Sequence, residues 1–446
     1  MSVSNDLTKG SISKQLVRFS APLVLSSLLQ AVYGMADMVV AGRFIGPVGL
    51  SAVNNSSMIM LFITQIMMGV STGGNILIGQ YFGAGEKENC KQSVVTLFAF
   101  SMALGAALLV IFSVFSRPIV LLLDAPAPDE AARYLLICAF GVIFVAGYNA
   151  TSAALRSVGN SKAPLICVAA SCCLNIVLDI VFVARLGWGV AGTATATVIS
   201  QGVSFFVSLF IVLRNYEVFG LRLSKLYIRS EKLRKLLRLG IPVCVQMSLT
   251  YISWLTVMYA INGHGVVVSA GNGISIKIKN FCQLFIMAMA SGATAMIAQN
   301  VGAGEYDRAR KVLYTAMRIA FCVSVVMIAA VEIFAPQLAS LFTPDEATAA
   351  AAVRNLRIEI INQVFYSSLL IYHSLALGAG HTWYVSVSSF VNCILARVVL
   401  IFILNHLIGL TGIYIACLIA PATSVPIGIW YERSNRWRKP RVRVCN

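Results

Sequence analysis

The sequence predicts an all-α membrane protein of twelve spanning helices in two pseudo-symmetric six-helix bundles. Three observations predict it: an apolar composition no soluble fold can accommodate, twelve apolar stretches of spanning length, and an internal repeat near 220 residues. Of 446 residues, 58% are hydrophobic and 11% charged. Soluble domains carry about 25% charged residues, and a chain this long must also cover its surface with polar groups. A lipid bilayer is the solvent that accepts such a composition.

A span needs about 20 apolar residues. The stretches that qualify are 17–41, 52–79, 92–116, 132–155, 163–184, 189–213, 239–262, 269–298, 313–335, 354–377, 383–405 and 409–431. They read as helices because a lipid-exposed backbone must satisfy its own hydrogen bonds. A barrel would show short segments of alternating polarity. The first stretch follows a polar, modestly basic start (Lys9, Lys14, Arg18) and shows no short apolar region with a small-residue cleavage site. It reads as a retained span.

The net charge of +17 is distributed by side. With the N-terminus inside, 25 of the 34 Lys and Arg fall on inside segments and 6 on outside ones, with Lys277, Lys279 and Arg397 within spans. That asymmetry predicts a multi-pass protein with both termini cytoplasmic. The basic excess faces anionic lipid headgroups, and its scatter over separate loops argues against nucleic acid. Eleven cysteines are dispersed with no C-x-x-C pair, so they read as packing residues and not as a metal or redox site.

Four pairs of segments carry the repeat, in the same order in both halves. Gln80-Tyr-Phe-Gly-Ala-Gly-Glu86 recurs as Gln299-Asn-Val-Gly-Ala-Gly-Glu305, and Arg18-Phe-Ser-Ala-Pro22 as Arg238-Leu-Gly-Ile-Pro242. Pro128-Asp-Glu-Ala131 recurs as Pro344-Asp-Glu-Ala347, and Leu174-Asn175 as Val391-Asn392. Six spans per half make the halves parallel repeats, an architecture of transporters. The expected organisation is an N-terminal lobe 1–213, a cytoplasmic linker 214–238 read as a solvated charged loop, a C-terminal lobe 239–431 and a basic tail 432–446. The Gly83-Ala-Gly85-Glu-Lys87 stretch lacks phosphate-loop spacing and reads as a helix-ending turn.

Ionisable groups inside spans are functional candidates, since each costs about 2.5–3.5 kcal/mol on insertion scales. Asp37 lies on a polar face with Ser26, Gln30 and Tyr33, and Asp179 shares a face with Asn175 at i, i+4. Pro22 precedes this face and can bend the helix; Thr197 can add a hydroxyl. Such oxygens suit a hard cation or a proton shared between carboxyls. The alternative is two structural carboxylates that tie neighbouring helices. The repeat speaks against it: Asp37 maps to Val257, Asp179 to Ala396 and Thr197 near Cys417, so the acids exist in one half only. Of Lys277 and Lys279, one is expected to line a cavity and the other to snorkel. Glu332 and Glu359 read as interfacial.

The chain resembles the multidrug and toxic compound extrusion (MATE) family over essentially its whole length. The resemblance rests on Ala36-Asp37-Met-Val-Val-Ala-Gly42-Arg43, the Gln-x-x-Gly-Ala-Gly-Glu turns, Ala154-Leu-Arg156-Ser-Val-Gly159 and Leu174-Asn175-Ile-Val-Leu-Asp179. It implies a V-shaped pair of six-helix bundles that expels amphipathic or cationic small molecules in exchange for H⁺ or Na⁺ by alternating access. Through the DinF-like branch it implies a cation site at Asp37, Asn175, Asp179 and Thr197, a helix-bending Pro22, and substrate-binding Gln30, Tyr33 and Asn149. The NorM-like branch, with further acids in helices 7 and 10, is disfavoured by Thr250 and Tyr366 near those places. The expectation is a monomeric, non-enzymatic antiporter of a prokaryotic plasma membrane, without cofactor or bound metal beyond the coupling ion, in contact with lipid and a drug-like substrate. The alternative is a flippase for a lipid-linked precursor, whose pyrophosphate Lys277, Lys279 and Arg397 would serve. No H-E-x-x-H or G-x-S-x-G motif supports an enzyme.

Overall fold

The computed structural model describes residues 4–122 and 127–439, so the end of the basic tail, with Arg441, Arg443 and Cys445, lies outside the described residues. All regular elements among them are helical. The spans are α1 (Ile12–Ile45), α2 (Ser51–Gly83), α3 (Lys87–Leu121), α4 (Pro128–Ser157), α5 (Lys162–Arg185) and α6 (Gly189–Arg214). They continue as α7 (Ser230–Asn262), α8 (Val266–Gly302), α9 (Tyr306–Ser340), the pair α10a (Glu346–Glu359) and α10b (Asn362–Gly378), α11 (Thr382–Ile408) and α12 (Leu410–Arg433). Each sits on one of the twelve expected stretches. Most run longer, because helix continues past the apolar window into polar turns.

The tenth span departs from a straight helix. Its two pieces meet at 50°, and the backbone tightens there, with Gln363 N–H donating to Ile360 O at 3.0 Å. Neither proline nor glycine marks the spot, so the sequence carries no signal for it. The start of α10a does: the Asp345 carboxylate accepts from the Thr348 backbone N–H at 2.9 Å, an N-cap.

Both Gly-Ala-Gly-Glu turns end helices as expected. Gly85 and Gly304 adopt φ of 74° and 77°. Glu86 N–H reaches Tyr81 O, and Glu305 N–H reaches Asn300 O. This six-to-one bond with a left-handed residue is the Schellman closure, which uses up the amides a phosphate would need.

The chain forms two compact units, Met1–Asp6 with Ala21–Ile241, and Leu7–Ser20 with Pro242–Asn446. In the first, α2 and α4 bury Ile63, Met67, Val142 and Ala146 against each other. In the second, Val257, Ile261, Ile401, Ile413 and Tyr414 form one core, and Ile278, Cys282, Val331 and Leu356 another. The division differs from the expected lobes at two stubs, because the chain changes unit beside each echoed proline. Residues 7–20, which include the first turns of α1, pack in the second unit: a Cβ on Gly292 would lie 2.4 Å from Ser20 Oγ. Residues 230–241 of α7 pack in the first: a Cβ on Gly73 would lie 2.7 Å from Gly240 N and Leu236 O. Gly73 and Gly292 stand at the spacing of the repeat. Gly73 leaves room for a helix backbone to approach, and Gly292 for the Ser20 side chain.

This corrects the reading of 214–238 as a solvated loop. Residues 216–219 are helical, α7 begins at Ser230, and Phe219 and Leu221 are buried. Lys232 is buried too: its Nζ donates to Asn89 Oδ1 at 2.7 Å and to the Tyr81 hydroxyl at 3.1 Å. Its charge is acceptable there because it is paired with oxygens and lies 4.6 Å from the Tyr81 ring centroid.

Candidate functional site

The first unit brings Asp37 and Asp179 together. Helical spacing puts Asn175 one turn before Asp179 on α5, facing α1. The helices are tied by the Cys172 thiol, which donates to Leu29 O at 3.5 Å. The Asn175 amide stands between the acids. Oriented to donate, its nitrogen lies 2.9 Å from Asp37 Oδ1 and 3.2 Å from Asp179 Oδ2. A carboxylate has only acceptors, so two of them gathered on one amide are joined directly only through a proton or a cation.

The α6 side is closed by Thr197. The Tyr33 hydroxyl is 3.4 Å from Thr197 Oγ1. All four members of the expected cation set are buried, Asn175 and Asp179 completely. Asp179 Oδ1 has no hydrogen-bond partner, an acceptor facing a site with none of its own to meet. Next to the cluster, Ala41 and Ala194 join Tyr134, Leu135 and Cys138 in an apolar core, which keeps bulk water from screening the charges.

Both acid-bearing helices loosen just after the acid. α1 becomes a π-helix at Ala41–Ile45 and α5 at Ile180–Arg185. Such bulges mark functional positions in helices, and no residue pattern announced them. Pro22 sits inside an unbroken helical run, Ile12–Val40. Lacking an N–H, it leaves the Arg18 carbonyl without its helical donor.

Of the expected substrate contacts, Gln30 is exposed. Asn149 turns back on its own helix and donates to Val145 O at 2.8 Å. Tyr33 belongs to the acid cluster. Among the described residues no group of three His, Cys, Asp or Glu could hold a metal, so a transition metal has no ligand set. The donors that converge are a pair of carboxylates, an amide and a hydroxyl, which suit H⁺ or a hard monovalent cation.

In the second unit, Glu359 corrects the reading as interfacial. It ends α10a at the 50° break, is buried, and forms an ion pair with Lys279. The break carries it inward. Lys277 is exposed and lies 5.8 Å from the Phe342 ring.

A family model described as MatE matches residues 22–181 and matches again over 242–403. The chain belongs to the MatE family. The two matches begin on Pro22 and Pro242, the prolines at which the chain changes unit. Among curated relatives, the Bacillus subtilis (strain 168) "Probable multidrug resistance protein YoeA" is 27% identical, over 99% of this chain and 97% of its own length. YpnP of the same organism, likewise named a probable multidrug resistance protein, is 32% identical over 68% of each chain. The Staphylococcus saprophyticus "Multidrug export protein MepA" is 27% identical over 92% of this chain and 91% of its own. A structure described as MATE in the straight conformation superposes with a TM-score of 0.91, covering 96% of this chain and 97% of that one at 23% identity. The protein is a multi-pass membrane protein of MATE fold.

Proposed function

We propose that this MatE-family chain is a multidrug efflux antiporter that exchanges amphipathic or cationic small molecules for H⁺ or Na⁺. The carrying observation is the pair Asp37 and Asp179 joined through Asn175 in an enclosed, largely apolar setting. The relatives' names, which speak of multidrug export and resistance, support the cargo class.

The chemistry follows from charge. Two neighbouring carboxyls in a low dielectric repel when both are ionised. A proton or a sodium ion between them removes that repulsion, and the Asn175 amide can turn its oxygen inward to help coordinate a cation. A cationic substrate draws on the same negative charge. Binding of the coupling ion therefore weakens the hold on substrate, and exchange results when the two conformations differ in affinity for each. A hundredfold difference needs about 2.7 kcal/mol, within the reach of one desolvated charge pair. In this reading both termini are cytoplasmic, as the positive charge distribution requires, and no covalent step occurs.

A flippase for lipid-linked precursors would need a surplus of cations for a pyrophosphate. The charge of Lys279 is already met by Glu359, which weighs against that reading.

The test is ethidium efflux from proteoliposomes under separately imposed pH and Na⁺ gradients, with Asp37→Asn and Asp179→Asn. One gradient should drive efflux, and each variant should abolish the gradient-driven component. Full efflux in both variants would overturn the proposal.

A further inference from the structure

The second unit contains a polar cavity of about 90 Å³, lined by residues of α7, α8, α10a, α10b, α11 and α12. Its charged members are Lys279, Glu359 and Arg397. Lys279 and Glu359 neutralise one another as a buried pair. Arg397 does not join them: it is 6% exposed, and its Nε and Nη1 have no hydrogen-bond partner. The guanidinium lies 5.3 Å from the ring centroid of Trp254. Asn392 Oδ1 and Asn362 Oδ1, in the same lining, also lack partners.

The place is the repeat's counterpart of the acid cluster. Asn392 is the echo of Asn175, and Arg397 stands 217 residues after Ile180, the neighbour of Asp179. Around Asn392 the helix again turns π, over Val391–Val398. One scaffold therefore carries a negative site in the first unit and a cavity with one surplus positive charge in the second. Leaving a buried guanidinium without a counter-charge is costly, and a guanidinium edge is a planar fork that matches a carboxylate.

We propose that this cavity binds a carboxylate-bearing organic anion, with Arg397 as its bidentate partner and Trp254, Leu369 and Leu370 receiving the apolar part. A single surplus charge selects a monoanion over a pyrophosphate. The Lys279–Glu359 pair bounds the site, and Glu359 is the acid that repels an entering carboxylate. This inference is independent of the cation-coupled reading, since it concerns other residues in the other unit.

Benzoate binding to the purified full-length protein, by isothermal titration calorimetry in detergent, tests it. Wild type should bind saturably, and Arg397→Gln should weaken binding by about tenfold or more. Glu359→Gln should tighten it several-fold by freeing Lys279. Benzamide, the neutral isostere, should not bind. Absence of saturable binding up to about 10 mM, equal affinity in Arg397→Gln, or benzamide binding as well as benzoate would each overturn the proposal. Should Arg397→Gln fail to fold, Glu359→Gln decides: unchanged or weaker binding overturns it.

Discussion

The Asn175 amide nitrogen lies 2.9 Å from Asp37 Oδ1, so the residue that echoes in both halves of the repeat joins α5 to the acid of α1. Its own acid, Asp179, is 3.2 Å away on the other side. One side chain thus sets the separation of both carboxyls.

Asn175→Leu should therefore damage coupling more than folding. Hydrogen bonds to charged groups contribute about 1.5–3 kcal/mol, which corresponds to about a 10- to 100-fold loss of gradient-driven efflux. Transport rates at matched reconstitution check it. Asn175→Asp, which adds a third carboxyl, should be worse.

The Tyr33 hydroxyl bonds Thr197 at 3.4 Å, a long contact. Tyr33→Phe keeps the ring and removes one weak hydrogen bond, about 1 kcal/mol. Efflux should fall by about fivefold, and Thr197→Val should match it. The double variant should show less than additive loss, because both changes break the same bond.

Gly73 and Gly292 admit a helix backbone or its nearby side chain. A leucine at either place forces the crossing apart. Each substitution should lower stability by about 1–3 kcal/mol, read as a lower midpoint of thermal unfolding in detergent. Gly73→Leu should cost more, since the atoms it meets are backbone and cannot turn aside.

Lys232 holds Asn89 and Tyr81 from inside the first unit. Lys232→Met keeps the buried stem and strands Asn89 Oδ1, while Tyr81 keeps its bond from Lys235 Nζ at 3.1 Å; the loss should be about 1–3 kcal/mol. Lys87→Met, at the exposed start of α3, should leave the midpoint unchanged.

The N-cap of α10a gives a pH dependence outside the spans. Bonds from Thr348 hold the Asp345 carboxyl below its usual range. A depressed acid lends stability above its unfolded value, about 3.9, and loses it as pH falls through the folded value. Protection of the Thr348 amide in hydrogen exchange, normalised for intrinsic rate, should be flat above about pH 4 and fall below it. Asp345→Asn should flatten the curve.

The twelve spans and the repeat were legible because a bilayer demands long apolar runs and a duplicated fold retains its turns. The pairing of Asp37 with Asp179 was also legible, since intramembrane acids are rare and helical spacing put Asn175 on the same face. Glu359 was not. Its inward turn depends on a break at Ile360–Ile361 that no proline or glycine signals, and its partner Lys279 lies 80 residues away. A polar residue in a span can also bond its own helix, as Asn149 does with Val145, and residue type alone does not reveal that.

The stubs that precede Pro22 and Pro242 have a consequence for assembly. Neither half of the polypeptide holds a whole folding unit, because each lends the other its opening turns. A break in the chain between residues 222 and 228 would yield fragments that each lack a piece supplied by the other. Made together they should reassociate into a working carrier; made apart, each should be degraded.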